Sequence, residues 1–181
     1  MFKKVLLMTI FIFTSVLFAQ DKEAKSFSFV GVDACAPCHK TEKQGKQLEI
    51  WKNSQHSKAY QTLQTEKADA IAKEKGSDKA AVESEVCLKC HAVGYNVASE
   101  LVEKKFKVED GVQCETCHGA GSEYKSLKVM KNKEDAVKNG LVVPEDISKF
   151  CVTCHNEESP THKEFDFETN WAKIKHNIPE W

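Results

Sequence analysis

The sequence contains no arginine. All 26 of its basic residues are lysine, set against 27 acidic residues for a formal charge of -1, so the concentrated cationic face that grips nucleic acid is missing. Proline (4) and glycine (8) are few and 29% of the residues are charged, which leaves no large aliphatic core on offer. Long apolar runs are equally scarce. Only the first twenty residues hold one, and it falls short of the about 20 residues that a membrane-spanning helix needs. Met130 is the one methionine beyond that run, and no cysteine falls outside a single repeated pattern.

That pattern occurs four times: Cys35-Ala36-Pro37-Cys38-His39, Cys87-Leu88-Lys89-Cys90-His91, Cys114-Glu115-Thr116-Cys117-His118 and Cys151-Val152-Thr153-Cys154-His155. Each reads Cys-x-x-Cys-His, the attachment signature of a c-type haem. Two thiols one helical turn apart can each form a thioether to one haem vinyl, and the adjoining His is carried under the iron as proximal ligand. Paired zinc sites and redox disulfides are the competing readings for eight cysteines. Neither explains why a His follows every second cysteine. The spacing therefore predicts four c-type haems, attached through Cys35, Cys38, Cys87, Cys90, Cys114, Cys117, Cys151 and Cys154, with His39, His91, His118 and His155 as proximal ligands. In so charged a chain the porphyrins stand in for a core, and the apoprotein is expected to be largely unfolded.

The first residues point to export. Two lysines precede an apolar stretch over residues 5–18, and Ala19 sits where a signal peptidase wants a small side chain. Residues 1–20 are read as a secretory signal, 21–30 as a flexible leader and 31–181 as one tetrahaem domain. No cysteine near the cut offers a lipid anchor, and no stable membrane insertion is expected. An exported chain meets an oxidising environment, where loose thiols would pair; haem attachment outside the cytoplasmic membrane consumes all eight.

The expected fold is mainly α, a small haem-packed multihaem cytochrome c fold with little β and long loops. Residues 41–65 have helical composition, with Trp51 and His56 projecting about 140° apart on such a helix. Residues 66–85 read as a solvated helix broken at Gly76-Ser77-Asp78, and 92–110 as a possible short hairpin. Gly119-Ala120-Gly121 suggests a tight turn passing close to a porphyrin face. Residues 123–139 and 168–176 read as further helices.

Seven histidines are present, and four serve as proximal ligands. At most three, His56, His162 and His176, remain as sixth ligands within the chain for four irons, so at least one iron takes another ligand or none. An iron with both faces filled by His carries electrons; one with an open face can bind a small molecule such as nitric oxide, nitrite, hydroxylamine or peroxide. Haem propionates add about eight negative charges, and without arginine they must be met by lysine or by backbone. An acidic surface dotted with lysines suits brief docking with other redox proteins.

At these residues the chain resembles the tetrahaem cytochrome c-554 family, soluble carriers that take electrons from hydroxylamine oxidoreductase. The resemblance rests on the order of the four motifs, on Trp51-Lys52-Asn53-Ser54-Gln55-His56 with Ala59, on Gly94, on Gly111-Val112-Gln113-Cys114-Glu115-Thr116-Cys117-His118-Gly119-Ala120-Gly121, and on Ser159-Pro160 with the final helix ending at His176. It implies closely stacked haem pairs, His56 opposite His118, His176 opposite His155, and no sixth protein ligand for the haem on His91. The family places another His soon after the third motif as ligand to the first haem. This chain has Tyr124, Lys125, Lys128 and Met130 there, which leaves His162 as the one in-chain candidate for the haem on His39.

The sequence is thus read as an exported, periplasmic electron carrier whose partners are cytochromes or a periplasmic oxidoreductase, with a homo-oligomer possible. Two other readings stay open: an oxidoreductase for small nitrogen species at an open haem, and a subunit of a haem-conducting oligomer or filament. No Cys-x-x-Cys-Lys motif, which marks the multihaem nitrite reductases, is present.

Overall fold

A computed structural model describes residues 26–177; the expected signal segment lies outside them. The chain is helical, in short pieces: α1 (Val32–His39), α2 (Gln47–Asn53), α3 (Glu66–Glu74), α4 (Glu85–His91), α5 (Cys114–His118), α6 (Leu127–Met130), α7 (Lys133–Lys138), α8 (Ile147–Cys151) and α9 (Phe167–Ile174), with single 3-10 turns between several of them. Five of these helices start at a side chain that accepts a backbone N–H of the first turn: Thr65, Ser126, Asn132, Asp146 and Asp166. Each such bond satisfies one of the amides that a helix leaves unpaired at its start.

The helix expected over residues 41–65 is broken. Ser54 is extended, and its hydroxyl donates to the Trp51 carbonyl at 2.7 Å, a local bond that competes with helix continuation. The chain then resumes as 3-10 turns over His56–Lys58 and Tyr60–Leu63. The break lets another segment in. Val112 donates its N–H to the His56 carbonyl at 3.1 Å, and the Trp51 indole donates to the Val112 carbonyl at 2.9 Å. Gly111 is positioned by the same approach, with φ 71° and a missing Cβ that would lie 2.9 Å from the His56 carbonyl oxygen.

The hairpin expected over residues 92–110 does not form. Val102 instead pairs with the leader in an isolated parallel bridge to Phe29, whose N–H and carbonyl engage Leu101 and Glu103 at 2.8 Å each. The end of the leader is accordingly tied down, and Val30 is wholly buried. Residues 66–85 are more than a solvated spacer. Leu63, Ala72, Ala81, Leu88 and Ala92 close into one apolar cluster beneath α3 and α4, with Tyr60, Val82, Tyr95 and Val108 packed against it.

Candidate haem-binding sites

The first three motifs share one local design. The Cys-x-x-Cys-His run occupies the last turn of α1, α4 and α5, so that His39, His91 and His118 each close a helix. In the fourth, α8 ends at Cys151 and the chain continues in turns, with the His155 N–H on the Cys151 carbonyl at 3.0 Å. A helical turn brings i and i+3 to one face, which is where two thioethers to one porphyrin must lie. All eight cysteines are unpaired thiols. Among the described residues no three or more His, Cys, Asp or Glu side chains converge as a zinc site requires.

The motifs meet one another in a definite order. The Cys35 and Cys114 thiols are hydrogen-bonded; that bond, with burial, pushes the Cys35 thiol up, and it draws the Cys114 thiol down against the effect of burial. Cys117 lies within electrostatic reach of Cys151, and burial pushes it up to about 11. Cys90 meets Cys154, and burial pushes it likewise up to about 11. The order of neighbours is therefore first, third, fourth, second.

Two pairs of imidazoles face each other. The His56 and His155 rings have centroids 6.1 Å apart at 46°, and His118 and His176 lie 5.9 Å apart at 48°. Two metal–nitrogen bonds of about 2 Å each, plus the offset of each nitrogen from its ring centre, give about 6 Å. The spacing fits one metal held between two imidazoles. The pairing is the reverse of the one the resemblance implies: His56 faces the fourth motif and His176 the third. The break at Ser54 redirects His56, and α9 packs on α2, which carries His176 to the α5 side.

The protonation of these rings also fits ligation. Burial lowers the pKa of His56, His118, His155 and His176, with repulsion from a neighbouring His adding to it in each case. A neutral imidazole is the metal-binding form. At His118 the Nδ1 lies 3.2 Å from the Val142 carbonyl oxygen, and at His91 it lies 2.8 Å from that of Ala59 and 3.2 Å from the Thr62 hydroxyl. A carbonyl can only accept, so it fixes the proton on Nδ1 and leaves the Nε2 lone pair free. Phe165 stacks on His155 at 4.6 Å. A cleft of 370 Å³ adjoins His176, lined by Lys46, Ile50 and Asn177 among others; Lys46 there is ion-paired with Glu42 at 2.7 Å.

His162 is exposed and sits within electrostatic reach of His155. His39 lies within such reach of His118 and His176. Met130 closes α6 and is half-buried. The glycines after the third motif lie tight against protein: a Cβ on Gly119 would lie 2.9 Å from the Gly140 carbonyl oxygen, and one on Gly121 would lie 3.0 Å from Val30.

Sequence reasoning missed the carbonyls of Ala59 and Val142, which no side-chain pattern announces. It also passed over Glu115, whose signal was a carboxylate between two haem-attachment cysteines.

A profile of the family described as "Cytochrome c554 and c-prime" matches residues 34–119, a span that contains the first three motifs. Over these residues the chain is similar to the cytochrome c554 family. It is also 30% identical over 134 residues to Cytochrome c-554 of Nitrosomonas europaea, an alignment covering 72% of this chain and 54% of that relative. The chain thus spans about half the length of the curated relative it matches. No solved structure matches it. The likeness to a family of c-type cytochromes accords with c-type haem at the Cys-x-x-Cys-His motifs. Among the described residues no helix is long and apolar enough to cross a membrane.

Proposed function

We propose that the chain is an exported tetrahaem electron carrier, holding c-type haems at all four motifs and passing single electrons between periplasmic redox partners. The observation that carries this reading is the pair of His–His separations near 6 Å, each joining a motif histidine to one outside the motifs. Haem iron, cycling between ferric and ferrous, supplies the redox chemistry. The chain's own residues set its terms. Four pairs of thiols fix the porphyrins, His56 and His176 complete the coordination begun by His155 and His118, and the contacts between motifs keep the four sites close enough for transfer in the order first, third, fourth, second.

The test is haem stoichiometry and spin state. The intact mass of the purified protein, with its pyridine haemochrome absorbance, should give four haems per chain. Two or fewer would sink the reading.

A second reading is favoured at one position. His91 is oriented as a ligand by Ala59 and Thr62, yet among the described residues it stands, like His39, outside the two facing pairs. An open iron there could bind a small nitrogen species. Paramagnetic resonance of the oxidised protein separates the readings: a high-spin signal abolished by nitric oxide supports an open site, whereas only low-spin signals indifferent to nitric oxide leave a pure carrier.

A further inference from the structure

Among the described residues four polar side chains are buried: Ser54, Ser84, Gln113 and Glu115. Only Glu115 can carry charge, and it is 2% exposed. Its carboxylate accepts three backbone N–H groups, from Val30 at 2.9 Å, from Gly31 at 2.8 Å and from Gly121 at 2.7 Å. Every one of these partners donates, which suits the ionised form, since a carboxylic O–H would need an acceptor. Among the described residues no cation is ion-paired with it. Lys125, within reach of the same cluster, is engaged by Glu103 at 2.7 Å, and Glu103 itself, with Cys35, Cys114 and Tyr124 around it, adds no positive charge. Burial holds the Glu115 carboxyl above its ordinary value, with the three amides pulling the other way in favour of the ionised form.

The location matters as much as the charge. Glu115 stands inside the third motif, between Cys114 and Cys117. Two of its donors, Val30 and Gly31, lead straight into α1 and the first motif, whose Cys35 lies against Cys114. A buried negative charge between two haem attachments makes the addition of an electron to either iron less favourable, because Coulomb repulsion is weakly screened there. The second motif carries the opposite sign at a comparable place, Lys89, which is solvent-exposed and ion-paired with Glu158.

We propose, resting on the four-haem reading above, that Glu115 is a positioning and potential-setting residue: it pins the first and third haem segments together and holds their two irons at lower potential than the irons on His91 and His155. Electrons entering at the first or third site then run downhill toward the fourth and second.

The experiment is a spectroelectrochemical titration of the haem-loaded protein, in which an electrode supplies each electron that turns one ferric iron ferrous, on wild type, Glu115→Gln and Glu115→Asp. The amide variant keeps the reach and loses the charge; the shorter acid keeps the charge and loses the reach. In Glu115→Gln two of four reduction steps should move to higher potential while two stay, and in Glu115→Asp the shift should be smaller. Four unmoved steps in Glu115→Gln, or equal shifts in the two variants, would overturn the proposal. If neither variant loads four haems, the wild type decides: its infrared difference spectrum during a stepwise sweep should show a carboxylate band changing with the two lowest-potential steps, and no such band overturns the assignment. Haem counting on wild type stands apart from these outcomes: two or fewer haems there would fail the carrier reading itself, whereas four haems with unmoved steps would fail this proposal alone.

Discussion

Between residues 63 and 92 five side chains close on one another to make an apolar cluster, whereas between residues 141 and 177 every residue keeps part of its surface in solvent. Both regions hold a haem motif. The first has Leu63 and Leu88 with three alanines beneath its helices, so it owns a core that water cannot reach. The second has α8, α9 and long turns between them, yet supplies His155 and His176 to the two imidazole pairs. Its ties to the rest include those pairs, the Val142 backbone bonded to His118, Gln47 donating to the Asn177 carbonyl, the packing of α9 on α2, and the exposed ion pair of Lys89 with Glu158. The difference teaches where the chain relies on its own side chains and where it relies on the group it carries.

Removing that group should break the comparison most sharply. In a chain with both Cys151→Ala and Cys154→Ala, hydrogen exchange should become fast through residues 141–177 and stay slow through 63–92. Protection lost equally in both would show that the apolar cluster has no stability of its own.

His176→Ala comes next. It should convert one low-spin haem to high spin, at the third motif. Repeating it in a chain that already lacks Cys114 and Cys117 should then produce no further spin change, a double-mutant logic that separates the His118 pairing from the alternative with His155. Acid should release the same ligand. Burial holds the four paired histidines below their ordinary pKa, so the unfolded or released imidazole binds protons the native one does not. The stabilisation is whole above the free value of about 6.5 and is lost as pH falls below it. A rise in high-spin absorption on acidification, steeper for the distal histidines, checks this.

On the other side of the comparison, Leu63→Ala should cost about 2–5 kcal/mol by opening a cavity over Ala72 and Leu88. Denaturant unfolding followed by amide exchange should place that loss within 63–92 and leave the haem spectrum unaltered. The smallest effect expected is from Asn132→Ala, which removes the side-chain cap of α7 for about 1 kcal/mol, measured the same way.

What the sequence disclosed follows the range of the interactions involved. The Cys-x-x-Cys-His runs are legible because attachment chemistry fixes them within five residues, and helix starts such as Thr65 and Asp166 because capping is local. His56 and His176 stand out as spare histidines. Their pairing is not legible, since it depends on the bend at Ser54, where one hydroxyl and an incoming segment at Val112 outweigh helical composition. The hairpin expectation failed for a related reason: Val102 had a better partner in Phe29, more than seventy residues away. Alanines 72 and 81 look like surface residues of a charged helix until α4 is set against them.

The separation of His118 from His176 along the chain carries one more meaning. As the polypeptide is synthesised from its amino end, the third motif comes first and its facing imidazole arrives much later, just past α9. A chain cut short between Cys154 and His176 retains every attachment cysteine and still leaves the site on His118 unclosed. His176 thereby acts as a check on synthesis: only a product that reaches it can finish the middle of the molecule.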